Sequence, residues 1–187
     1  MKTSEFIKKK QLHPRFPVMK EILERFSPRF FSDQPIPEKD LQTLFEAARF
    51  APSARNHQPW YFYFVEKGSK SHQTLMSCIP FHNRWCPSAP VLIIACYLGA
   101  GKDWTYYDLG AAVMSLVLQA QHLGYYARQM GLFDKKKVKR TLPLDKDHTP
   151  FTLIAIGKIG DYEKINPLVL ALEKYPRTRK ANLVRKI

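Results

Sequence analysis

The chain predicts a layered domain of helices and strands, α/β or α+β in class, and three observations carry that reading. Stretches with apolar residues at helical spacing alternate with short runs rich in β-branched and aromatic residues. Two of those runs, residues 90–97 and 151–159, are apolar almost throughout, as strands covered on both faces are. At 187 residues, 45% hydrophobic and 13% aromatic, the chain can bury a sizeable core and is too apolar to stay disordered. A single domain over 1–187 is expected, with 1–16 as an N-terminal extension and 160–187 as a C-terminal arm. No repeat or low-complexity linker divides it.

Pro17 to Arg25 reads as the first helix, with Met19, Ile22, Leu23 and Phe26 at i, i+3, i+4 and i+7. A turn from Ser27 to Ser32 follows. Pro37 stands at the first position of a second helix, and Glu38 and Asp40 favour the positive end of its dipole. Leu41, Leu44, Phe45 and Ala48 make its apolar stripe. Trp60 to Val65 is a strand by its aromatics, Ser69 to Cys78 a short helix, and Pro90 to Tyr97 a buried strand. Trp104 to Leu123 is the longest helix, stopped by Gly124. It is apolar nearly all round, and Gly110, Ala111, Ala112 and Ser115 keep it thin. Such a helix must be covered on every side, and a second subunit is an economical cover. Tyr125 to Gly131 is a strand, Asp134 to Leu142 a basic helix and Phe151 to Ile159 another buried strand. Asn166 caps, and Pro167 opens, a last short helix ending before Pro176.

Thirty basic residues against sixteen acidic ones give a net charge of +14, a field that attracts anions. The excess is clustered at Lys135, Lys136, Lys137, Lys139 and Arg140, and again at Arg177, Arg179, Lys180, Arg185 and Lys186. A solvated helix face and a basic tail are the plain readings; nucleic acid and phosphate-bearing cofactors are the functional ones. Nucleic acid is not expected, because the aromatics sit in strands and apolar helix faces instead of alternating with Lys and Arg. No apolar run approaches the ~20 residues of a membrane helix, so no membrane association is expected. Lys8, Lys9 and Lys10 precede no apolar core, so no secretory signal is expected either. Cys78, Cys86 and Cys96 lack CxxC spacing and read as reduced, buried thiols of a cytoplasmic protein.

Several chemistries are missing. Gly99-Ala100-Gly101-Lys102-Asp103 fails as a phosphate loop, with Cys96 in the first glycine's place and Asp103 in that of Ser/Thr. There is no G-x-G-x-x-G, no nucleophile elbow, and no pair of the six histidines at metal spacing. No catalytic side chain and no metal are therefore expected. An enzyme built this way needs a bound cofactor to carry the reaction.

Ala51-Pro52-Ser53-Ala54-Arg55-Asn56-His57-Gln58-Pro59-Trp60 holds Ser53, Asn56 and Gln58 in a loop between a helix and a strand, where binding residues concentrate. It resembles the A-P-S-x-x-N-x-Q-P-W signature of the nitroreductase family of flavoproteins. Further segments resemble that family in its order. Arg25-Phe26-Ser27-Pro28-Arg29 is similar to its R-x-S-x-R, although Phe26 replaces the common second basic or polar residue. Two arginines around a serine offer fork donors and a hydroxyl to a phosphate. Residues 124–134 resemble G-x-x-x-x-Q-M-x-G-F-D, with the second glycine displaced by one. Asp108-Leu109-Gly110-Ala111-Ala112 resembles the helix at the family's dimer core, and Pro176-Arg177-Thr178-Arg179-Lys180 its C-terminal R-x-R-K. Asn83-Arg84-Trp85 is similar to a segment that reaches the flavin pyrimidine edge.

The resemblance implies an α+β fold with a central, mostly antiparallel sheet flanked by helices, in an intertwined homodimer with flavin mononucleotide (FMN) at the interface. One subunit would bind FMN through Arg25, Ser27, Arg29, Gln129, Met130, Gly131, Arg177 and Arg179. The other would supply Pro52, Ser53, Ala54 and Asn56; Asn83 is a further candidate. The implied reaction is ping-pong transfer from NADH or NADPH to a nitroaromatic, a quinone or a related small aromatic acceptor. Dehalogenation and oxygen-dependent flavin cleavage are alternatives on the same fold. Trp104, Tyr106 and Tyr107 are expected to narrow the substrate space.

Overall fold

The computed structural model describes residues 1–83, 85–173, 175, 177–180 and 183–185; Arg84, Pro176 and Lys186, named in the segments above, lie outside the described residues. In chain order the helices are α1 (Thr3–Lys9), α2 (Lys20–Glu24), α3 (Glu38–Arg49), α4 (Lys70–Met76), α5 (Asp103–His122), α6 (Lys135–Thr141) and α7 (Pro167–Glu173). The strands are β1 (Trp60–Glu66), β2 (Val91–Leu98), β3 (Tyr126–Met130) and β4 (His148–Gly157). They form one antiparallel sheet in the order β1-β2-β4-β3. The class is α+β, as the resemblance implies.

Strand alternation splits the interior into two layers. Val91, Ile93 and Ala95 of β2, with Ile154 and Ile156 of β4, face α3 and α5. Leu92, Ile94 and Cys96, with Leu153 and Ala155, face the side of α4 and α6, where Leu75, Trp85 and Val138 cover them. β2 is therefore apolar throughout, and β4 from Leu153 to Ile156, although their neighbours run antiparallel. Pro150 sits where the β2–β4 register slips by one residue, between Ala95–Thr152 and Cys96–Pro150. A proline there is tolerated because a bulge already interrupts the ladder.

Several boundaries differ from the sequence reading. The first helix starts at Lys20 instead of Pro17, since Met19 is extended at ψ 139°. Val18 and Met19 are exposed and gain no burial from a longer helix. Pro37 flanks α3 and its carbonyl accepts the N–H groups of Asp40 and Leu41, so Glu38 is the first helical residue. The last strand begins three residues early, at His148, and ends at Gly157, leaving Ile159 in an isolated bridge to Phe31. Within the N-terminal extension lies an unexpected helix, α1. Phe6 is only 2% exposed and stacks on Tyr162 at 3.8 Å, in a small third core with Phe26 and Ile165. The seven residues of α1 are too few for a periodic signal.

Tyr125, just after the positive-φ Gly124, donates to Asp40 Oδ2 at 2.6 Å and ties α3 to the start of β3. Burial, helped by the carboxylate, pushes its phenol up to about 12. Tyr125→Phe is expected to cost about 1–2 kcal/mol at neutral pH. The folded pKa lies above the ordinary value of 10, so this contribution is whole below pH 10 and is lost as pH rises through about 12. Urea denaturation of both proteins at neutral and alkaline pH measures the difference and its decline.

Candidate functional site

Where α2 ends, the backbone turns extended at Arg25 (ψ 134°) and leads through Ser27 to Arg29. This segment meets the C-terminal arm after α7, and together they line a cavity of about 320 Å³. Arg25, Ser27, Arg29, Arg177 and Arg179 all face it, so five residues expected at one site are brought together. Arg128 of β3, Lys10 after α1, and Glu173 at the end of α7 join them. Six cations thus surround one carboxylate.

The cations divide by what they already hold. Arg177 donates to the carbonyls of Ile22 (3.3 Å), Leu23 (2.5 Å) and Lys10 (3.2 Å), so it caps the open end of α2. Its Nε is buried and without a partner among the described residues. Arg128 donates to the Ser27 carbonyl at 2.5 Å and lies 5.2 Å from the Trp85 ring. Arg29 gives Nη1 to the Leu172 carbonyl at 2.9 Å, and its backbone N–H goes to the Glu173 carboxylate. Among the described residues, no hydrogen bond or ion pair engages the Arg25 guanidinium.

Burial and mutual repulsion act on Arg128, Arg177 and Arg25. Burial, then Arg29, brings Arg128 down to about 10. Burial, then Arg179 and Arg25, does the same to Arg177. Arg25 is lowered by burial and by Arg179. Burial raises Glu173, against the pull of Arg29, Arg128 and Lys10. A phosphate dianion fits the donors left over, namely the Arg25 fork, the Arg177 Nε and the Ser27 hydroxyl.

The segment from Ala51 to Trp60 is a second constrained feature, outside this cavity. Arg55 (φ 52°), Asn56 (φ 57°) and Gln58 (φ 48°) all adopt left-handed backbone without being glycine. Each such residue costs on the order of 1–3 kcal/mol and persists only where its surroundings enforce it. Here Ser53 Oγ accepts from the Gln58 N–H at 2.9 Å, and the Gln58 side chain donates to Asn56 Oδ1 at 3.1 Å. Buried Asp108 of α5 accepts the Ala54 N–H at 3.0 Å and fastens the loop to the long helix. Pro52, Ser53, Ala54 and Asn56 do not line the cationic cavity within this chain.

The remaining candidates are also away from it. Asn83 donates to the Leu132 carbonyl at 3.1 Å and accepts from Trp85 Nε1 at 3.3 Å. Gln129 is exposed on β3, Met130 is buried with its carbonyl accepting from the Thr152 hydroxyl, and Gly131 is exposed just past the strand. Sequence reasoning missed Arg128, Lys10 and Glu173 as site residues. Arg128 is the one charged residue of the strand within the 124–134 segment; nothing local distinguished Lys10 from Lys8 or Lys9. Burial pushes the Cys86 and Cys96 thiols up to about 12, which suits buried packing residues and not nucleophiles. No three metal-ligating side chains cluster among the described residues.

Residues 22–79 and 80–158 match the family described as the Nitroreductase family. A protein of Archaeoglobus fulgidus, provisionally named NADH dehydrogenase/NAD(P)H nitroreductase, is 27% identical over 172 residues, spanning 84% of this chain and 98% of its own. A solved structure described as an oxidoreductase containing FMN superposes with a TM-score of 0.79 at 30% identity, over 90% of this chain and 89% of that one. The FMN and NADPH-dependent nitroreductase NfnB of Sphigopyxis sp. strain HMH, 18% identical, shares the fold, with a TM-score of 0.71 over 87% of this chain and 94% of that one.

The Asp108 bond gives a direct test of how the loop is held. Asp108→Ala leaves the Ala54 N–H without its acceptor and is expected to cost roughly 1.5–3 kcal/mol. Amide hydrogen exchange at Ala54 to Gln58 should accelerate while the central strands stay protected. Asp108→Asn retains an acceptor oxygen and should recover most of the protection.

Proposed function

The chain belongs to the nitroreductase family, an oxidoreductase family, and from that premise we propose that it binds FMN non-covalently and reduces small aromatic acceptors, nitroaromatics or quinones, with NADH or NADPH. The observation that carries the reading is the cavity between residues 25–29 and 177–179, with its six cations and one carboxylate. When bound, FMN supplies the hydride chemistry for which the chain has no side chains of its own.

Arg25, Ser27 and Arg179 would hold the phosphate directly. Arg29 and Arg128 add charge while keeping the 25–29 segment in shape through the Leu172 and Ser27 carbonyls. Arg177 would offer its Nε, its other nitrogens being committed to α2 and Lys10. Gln129, Met130, Gly131 and Asn83 would lie along the ring. Pro52, Ser53, Ala54 and Asn56 would come from a second subunit, which accounts for a strained loop held rigid away from the cavity of its own chain. A cytoplasmic homodimer is part of this reading. Trp104 and Tyr107, 67% and 70% exposed, with Gly110 on the same helix, leave an outer face of α5 that a second copy would cover.

The purified protein is expected to be yellow and to release FMN on denaturation; a colourless protein that takes up no added FMN sinks the reading. Arg25→Ala with Arg179→Ala is expected to weaken FMN binding on the order of a hundredfold or more, from about 1.5–3 kcal/mol per charged bond. The far-UV spectrum should not change, because neither side chain is built into the core. Light scattering should give twice the chain mass, and a flavin-loaded monomer would remove the second subunit from the account.

A further inference from the structure

Helix α1 precedes the residues that match the family, yet Lys10, the residue that ends it, lines the cationic cavity. Its anchor is aromatic: Phe6 stacks on Tyr162 and meets the edge of Phe26 at 5.7 Å, and Phe26 lies between Arg25 and Ser27. The Thr3 hydroxyl accepts the Tyr162 N–H at 2.9 Å. The helix ends at Lys10, which is tied to the arm in both directions. Lys10 Nζ donates to the carbonyls of Glu173 and Tyr175, and the Lys10 carbonyl accepts from Arg177. Lys10 also lines the cavity with Arg25 and Arg179.

We propose that Lys10 is a phosphate-binding residue, and that α1 is a strap that delivers its charge to the cavity while closing the C-terminal arm over it. This rests on the FMN reading above. An ammonium carries three donors, and two are spent on the arm carbonyls. The third, with the full charge, is available to an anion seated among the arginines. Lys8, on the same helix, is exposed and lines no part of the cavity, so the two lysines differ in position and not in charge.

The experiment titrates the full-length apoprotein with FMN and with riboflavin, which lacks the phosphate, by quenching of flavin fluorescence. Lys10→Met is expected to weaken FMN binding by roughly tenfold or more, and riboflavin binding by less than about twofold. Lys8→Met removes the same charge and should leave both affinities near wild type. Lys10→Gln, which keeps a donor for the arm carbonyls, guards against a folding defect and should show the same selective loss. Equal loss of FMN and riboflavin, or FMN affinity at the wild-type level in the Lys10 variants, overturns the proposal and leaves the FMN reading standing. A wild-type protein that binds neither flavin overturns both.

Discussion

The pairing of β2 with β4 is the constraint on which the rest of the structure depends. Over Val91–Cys96 and Leu153–Ile156 both strands are apolar and buried on both faces, so neither can lie at an edge or present a side to water. They must sit side by side at the centre, and each face must be roofed by helices. This fixes α3 and α5 above and α4 and α6 below, and sends the shorter strands β1 and β3 to the edges. It also sets the functional geometry. β3 carries Arg128 beside the segment that leaves α2, and α5 carries Asp108 beneath the loop that leads into β1.

The cationic cavity shows the opposite economy. Its members come from both chain ends and from one edge strand. Several of the bonds that assemble it run from guanidinium or ammonium groups to backbone carbonyls: Arg177 to Ile22 and Leu23, Arg29 to Leu172, Arg128 to Ser27, Lys10 to Glu173 and Tyr175. Carbonyl oxygens accept these donors without neutralising them. The walls are therefore held in place while the positive charge stays available at the centre. Glu173 is the exception, buried and pointed at the Arg29 backbone, where it offsets part of the repulsion.

Much of this was legible in the sequence, for identifiable reasons. The central strands announce themselves because two-sided burial leaves almost no polar residue in the run. Helix α7 was readable from Asn166, whose side chain accepts the Leu168 N–H, whereas the cap of α6, Asp134 accepting the Lys137 N–H, was not singled out. The 25–29 and 177–179 arginines were readable as phosphate ligands through the family resemblance, and the fold brings them to one cavity. Helix α1 was not readable, because its stability comes from stacking Phe6 on a tyrosine more than 150 positions away. Lys10 was hidden for the same reason: its role is set by what the far end of the chain brings to it. The left-handed backbone at Arg55, Asn56 and Gln58 was equally silent, since it is imposed by Ser53 and the folded surroundings and not by local preference.

All three cysteines lie in one of the two layers, against α4 and α6, and none forms a disulfide. A thiol-selective alkylating reagent can reach them only when that layer opens, because each is closed off from solvent in the native state. The rate of adduct formation, followed by mass spectrometry, is then a clock for the breathing of one half of the molecule. The half that carries α3 and α5 holds no cysteine in its core and leaves no trace in that record. The native sequence thus comes with a one-sided probe of its own fluctuations, usable without engineered labels.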